Sequence, residues 1–131
     1  MPEIDVPAVA VATVVAFLSA AVYYGALGER LARVSPAAAE GGAGMPPWKV
    51  AAELGRCLVL SAVFAGIAAE ARVGSVGGGI ALGLALWVGF PLVLWTGAML
   101  HERAPLALAA LHGGDWLLKL VLVGVVVGLL Q

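Results

Sequence analysis

Leu106-Ala-Leu-Ala-Ala-Leu-His112-Gly-Gly-Asp115-Trp-Leu-Leu-Lys119-Leu-Val-Leu-Val-Gly124-Val-Val-Val-Gly128-Leu-Leu130 is an apolar run broken by three ionisable side chains. A helix needs roughly 20 apolar residues to cross about 30 Å of hydrocarbon, and this run is long enough. Lys119 then falls near mid-membrane. An uncompensated charge there costs about 2.5–3.5 kcal/mol on insertion scales. His112 and Asp115 lie on the same run, so the compensation is expected to be local. An intramembrane polar site is therefore the first functional lead.

The rest of the chain has the same solvent in view. Of 131 residues, 63% are hydrophobic and 11% charged, and the mean hydropathy is +1.06. Soluble domains carry about 25% charged residues to build a wettable shell. This chain cannot build one, so the lipid bilayer is its expected partner. A net charge of -1 with scattered Lys and Arg gives no basic patch for nucleic acid. The length allows one domain, spanning 1–131. Cys57 is the lone cysteine, which excludes an intrachain disulfide and reads as a small buried hydrophobe.

Three further apolar runs precede the last. The expected helices are 6–27, 48–69, 77–100 and 105–130, giving an all-α, four-helix transmembrane bundle with antiparallel up-down connections. The first run follows Glu3 and Asp5 without a basic residue and is too long for a signal peptide, so it is expected to be retained. Segment 28–47 is rich in Ala, Gly and Pro and reads as a flexible loop. The loops at 72–76 and 101–104 are short enough to force antiparallel neighbours. Arg30, Arg33, Lys49 and Arg103 flank the first and third loops, against Arg72 alone in the second. The positive-inside rule then puts both termini outside a bacterial cytoplasmic membrane. Trp48, Tyr23 and Tyr24 read as headgroup-level anchors.

Several residues are expected to set helix packing. Gly79 and Gly83 form one GxxxG, and Gly124 and Gly128 another, which lets backbones approach within or between subunits. With those faces open to partners, a homodimer or small homo-oligomer is expected. Pro91 removes the amide that would bond the Trp87 carbonyl and should kink the third helix.

Depth along the helices brings the charges together. At 1.5 Å per residue, Arg56 lies roughly 12 Å in, His112 about 10 Å, Asp115 about 15 Å and Lys119 about 21 Å. His112, Asp115 and Lys119 share one face of the last helix, and Lys49, Glu53 and Arg56 one face of the second. If those faces meet, Asp115 pairs with Arg56 or with Lys119, and His112 reaches Glu53. Gly113 and Gly114 either unwind the last helix beside them or admit a close neighbour; close packing is favoured.

Glu53, Arg56, His112, Asp115 and Lys119 are accordingly the candidate residues for binding or translocating a proton, an ion or a small polar molecule. The alternative is a structural or accessory subunit whose buried charges only fix packing or partner contacts. An enzyme is the least favoured class: no catalytic set, phosphate loop or cofactor fingerprint is visible, and neither His101 nor His112 has metal-ligand spacing. No cofactor and no metal are expected.

Gly83-Leu-Ala-Leu-Trp-Val-Gly-Phe90, Leu100-His-Glu-Arg-Ala-Pro-Leu106, the polar-interrupted last helix ending at Gly124–Leu130, and Tyr23-Tyr24-Gly25 through Gly28 resemble the DUF1761 family of small bacterial membrane proteins. The chain departs from the family pattern at Gly114-Asp115-Trp116, where the family often has Gly-Tyr-His, and in the first loop, which lacks the usual aromatic. The resemblance implies four helices and an uncharacterised function, and it supplies no catalytic residue.

Overall fold

Asp5 starts the first helix by accepting the Ala8 amide at 3.3 Å on its carboxylate, a side-chain cap for an otherwise orphaned donor. The computed structural model describes residues 4–34 and 46–131, with the side chains of residues 28–34 outside that description. Helix α1 (Val6–Val34) is followed by α2 (Pro47–Glu70), α3 (Val76–Gly89), α4 (Pro91–His101) and α5 (Leu106–Leu130). Four stretches are long and apolar enough to span a membrane: Val6–Leu27, Pro47–Glu70, Val76–His101 and Leu106–Leu130.

Two boundaries differ from the sequence expectation. α1 runs through Gly28 to Val34. A single glycine costs a helix only about 1 kcal/mol, and Glu29-Arg30-Leu31-Ala32-Arg33 that follows is made of good helix formers. Residues 28–34 of the expected flexible loop are therefore helical, and residues 35–45 of it lie outside the described residues. The third span is also two helices rather than one kinked helix. Phe90 leaves the helical basin with φ −122 and ψ −74, because the ring of Pro91 crowds the residue before it. Pro91 then serves as the first residue of α4, where a missing amide costs nothing.

The short connections use left-handed residues other than glycine. Arg72 has φ 57 and Arg103 φ 56. At Arg72 the Val73 amide returns to the Ala68 carbonyl at 2.8 Å and the Arg72 amide to Ala69 at 3.1 Å, which closes α2 with a Schellman motif.

The connections run up and down, but packing order departs from chain order. α5 packs along α1 and along α3, and over shorter stretches on α4 and α2; α2 packs mainly on α1. In lipid this association comes from van der Waals fit and not from water expulsion. α1 accordingly presents Ala8, Ala12, Ala16 and Ala20, all buried, and α2 presents Cys57, Ser61, Phe64, Ala65 and Ala68. The α3–α5 seam is closer still. A Cβ placed on Gly79 would collide with the Gly124 carbonyl, one on Gly83 would come within 2.6 Å of the Leu120 carbonyl oxygen, and one on Gly128 would strike Ser75. Both GxxxG faces are thus occupied within the chain. The ground on which self-association was expected, that those faces were open to partners, is removed.

Candidate functional site

Register brings the polar residues together. Asp5 and Gln131 meet at one end of the fold, where the Asp5 amide donates to Gln131 Oε1 at 3.4 Å and Gln131 Nε2 donates to the Ala65 carbonyl at 2.9 Å. With α1 and α5 antiparallel from that point, Tyr24 comes level with His112. Its hydroxyl lies 2.8 Å from His112 Nδ1 and 3.1 Å from Asp115 Oδ2. Next to it, the Tyr23 hydroxyl donates to the Leu111 carbonyl and occupies the space a side chain on Gly114 would need. α5 stays helical through Gly113 and Gly114, so the close neighbour at the glycine pair is an aromatic hydroxyl.

Lys119 is the hub. Helical side chains lean toward their own N-terminus, which carries Nζ back to the level of Asp115 and of α2. It lies 3.1 Å from Asp115 Oδ2 and 3.0 Å from Glu53 Oε1. The lysine and aspartate side chains are only 4% and 3% exposed. Glu53 also receives Arg56 at 2.8 Å. Two carboxylates thus face two cations, so their formal charges balance. The Lys119 ammonium also sits 5.6 Å from the Trp116 ring centre.

Of the pairings expected from the sequence, Asp115–Lys119 is present. Two others are not. Arg56 pairs with Glu53 on its own helix and not with Asp115, and its side chain is 64% exposed. It leans on Glu53 toward the start of α2, as a long cation does when it reaches for the headgroups. His112 meets Tyr24 and not Glu53, because Lys119 already holds that carboxylate.

Aromatic side chains on the broken span complete the surroundings. Trp87, just before the break, donates its indole N–H to the Gly113 carbonyl at 2.8 Å. Trp95, just after it, stacks on the His112 ring at 5.1 Å and 8°. The break at Phe90 is therefore flanked by two indoles that grip adjacent residues of α5. Tyr24, Trp87 and Trp95 escaped the sequence reading, which took the tyrosines for interface anchors. The signal that finds Tyr24 is its distance from Asp5, equal to that of His112 from Gln131.

Two buried polar atoms have no hydrogen-bond partner among the described residues: Asp115 Oδ1 and Ser61 Oγ. The groove of about 530 Å³ between α1 and α5, lined by Val15, Leu18, Val22, Tyr23, Leu118 and Leu122 among others, is apolar and lies apart from the charged cluster.

The chain matches the family described as "Protein of unknown function (DUF1761)" over residues 7–128. It belongs to the DUF1761 family. The matched segment contains the second and third spans whole, all but Val6 of the first and all but Leu129 and Leu130 of the last, and every residue of the charged cluster. No curated protein and no solved structure matches this DUF1761 protein. It is a multi-pass membrane protein with four candidate spans and a buried Asp115–Lys119–Glu53 salt-bridge network.

Proposed function

We propose that this DUF1761 protein binds a proton, an ion or a small polar molecule at Asp115, inside the membrane, and passes it toward or from the side on which α2 and α5 begin. The observation that carries this reading is a carboxylate that is 2% exposed and whose Oδ1 has no partner among the described residues. An unmet buried acceptor costs about 1–3 kcal/mol. A cluster that served only to hold helices would be expected to fill it. The opposing reading, a purely structural network, draws on the balance of Glu53 and Asp115 against Arg56 and Lys119.

The two readings separate in the double variant Asp115→Asn with Lys119→Met, which leaves Glu53 paired with Arg56. Thermal unfolding in detergent would be followed for parent and variant across pH and across a panel of monovalent cations and small polar solutes. A binding site predicts that at least one condition raises the parent's Tm by mass action, and that this response vanishes in a variant that is itself stable. A parent whose Tm ignores every condition, or whose response survives in the double variant, would overturn the proposal.

A further inference from the structure

We infer that the ligand of this cluster is the proton, delivered between His112 and Asp115 through the hydroxyl of Tyr24. The inference rests on the reading of Asp115 as a binding site and names what binds there. Its basis is a shortage. Tyr24 has one hydroxyl hydrogen and two neighbours placed to claim it, His112 Nδ1 at 2.8 Å and Asp115 Oδ2 at 3.1 Å. A phenol donates once and accepts otherwise. While Asp115 is ionised it can only accept, so Tyr24 donates to it, and His112 must then present Nδ1–H to the Tyr24 oxygen. In the opposite arrangement Tyr24 donates to a bare Nδ1, and Asp115 must carry a hydrogen on Oδ2 to complete the line. The histidine tautomer and the charge on Asp115 are therefore locked together by one hydroxyl.

A single added proton switches the whole line. Taken up at His112 Nε2, it gives an imidazolium bearing hydrogen on both nitrogens. The Nδ1–H bond then breaks as a new Oη–H forms, while the old Oη–H breaks as Oδ2–H forms. His112 ends neutral with its hydrogen on Nε2, Tyr24 ends as an intact phenol, and Asp115 ends as a neutral acid. One positive charge has moved from the ring to the carboxylate and only hydrogens have changed place. The second carboxylate on Lys119 acquires a purpose here: with Asp115 neutralised, Glu53 at 3.0 Å still balances the ammonium.

The other ionisable groups around the line do not short-circuit it. From α1, Tyr23 donates to the Leu111 carbonyl, which has no proton to exchange. From α2 come Glu53, Arg56 and Cys57, whose thiol faces Glu53 at 3.9 Å. Lys119 on α5 is held by the two carboxylates, while α3 and α4 present Trp87 and Trp95, neither of which titrates in this range.

The test is nitrogen and carboxyl NMR of the full chain in lipid bilayers. There are two histidines and two aspartates, so His112 and Asp115 can each be assigned by a single substitution. At neutral pH the parent is expected to show His112 as the Nδ1–H tautomer. On acidification the His112 signal should shift to Nε2–H at the same midpoint at which Asp115 becomes a neutral acid. Tyr24→Phe keeps the ring and removes the hydroxyl. It should abolish this shared midpoint and let His112 titrate alone to imidazolium, while Tyr23→Phe should leave the coupling intact. An Nε2–H tautomer in the parent at neutral pH would overturn the relay, as would independent titration of His112 and Asp115. If Asp115 still mediates a solute-dependent Tm in that case, binding at Asp115 stands and only the relay falls; without such a response both fall.

Discussion

Lys119 carries two obligations at once, since Asp115 and Glu53 both rely on it for their counter-charge. Its removal is therefore expected to cost more than removal of either acid. Lys119→Met should lower stability by about 3–5 kcal/mol, the range for breaking a buried pair by one partner. Glu53→Gln leaves Lys119 on Asp115, and because Glu53 is partly exposed and also served by Arg56, about 1 kcal/mol is expected. Chemical denaturation in mixed micelles reads both. Equal losses would contradict the hub role. The residues of this cluster were largely legible in the sequence, because a charge within an apolar run must be compensated and few candidates exist. Their partners were not. Choosing Lys119 over His112 for Glu53 depends on which way a side chain leans and on a neighbour, Tyr24, that reads as an interface anchor when seen alone.

At the scale of the helix, glycine spacing and the proline decide the packing of the third and last spans. Gly79→Ala puts a methyl group against the backbone of Gly124, where no rotamer relieves it. A loss of about 1–3 kcal/mol is expected, the usual cost of overpacking. Gly97, on α4, has open space around its Cβ direction. Gly97→Ala is expected to be neutral or to stabilise by up to about 1 kcal/mol, the propensity difference. Thermal unfolding of the two variants side by side checks the contrast, and a benign Gly79→Ala would contradict the seam. The two GxxxG motifs were visible in the sequence, but whether they faced each other or another subunit was not. That answer depends on antiparallel register, which places Gly79 opposite Gly124. The proline was equally visible. What spacing alone did not reveal is that the break at Phe90 sets Trp87 and Trp95 on either side to hold Gly113 and His112.

For the molecule as a whole, apolar run lengths gave the four spans, while packing order had to come from the structure. The short 72–76 turn implies that α2 and α3 are neighbours, yet α2 packs mainly on α1, and α5 gathers contacts from every other helix. Small residues explain this: the alanine stripe of α1 and the glycine stripes of α3 and α5 permit closer approach than the bulkier faces do. We expect the positive-inside rule to set orientation, with the 72–76 turn outside and the 101–104 turn inside. Gly74→Cys and Glu102→Cys, made in a Cys57→Ser background, would be labelled with an impermeant thiol reagent in intact cells. Labelling at Gly74→Cys and protection at Glu102→Cys are expected. The reverse pattern would invert the side from which Asp115 is reached.

The buried ion pair of Lys119 and Asp115 within the bilayer can be measured directly. The chain contains two lysines and two aspartates, so labelling lysine Nζ with nitrogen-15 and aspartate Cγ with carbon-13 leaves four signals. Dipolar recoupling between them in lipid bilayers reads the Asp115–Lys119 separation, with Asp115→Asn and Lys49→Arg as assignment controls. The geometry predicts strong dephasing of the Asp115 carboxylate by Lys119 Nζ, consistent with the 3.1 Å contact, and none for Asp5. An Asp115 signal that Lys119 leaves untouched would contradict the account, because the network, the binding reading and the relay all begin from that pair.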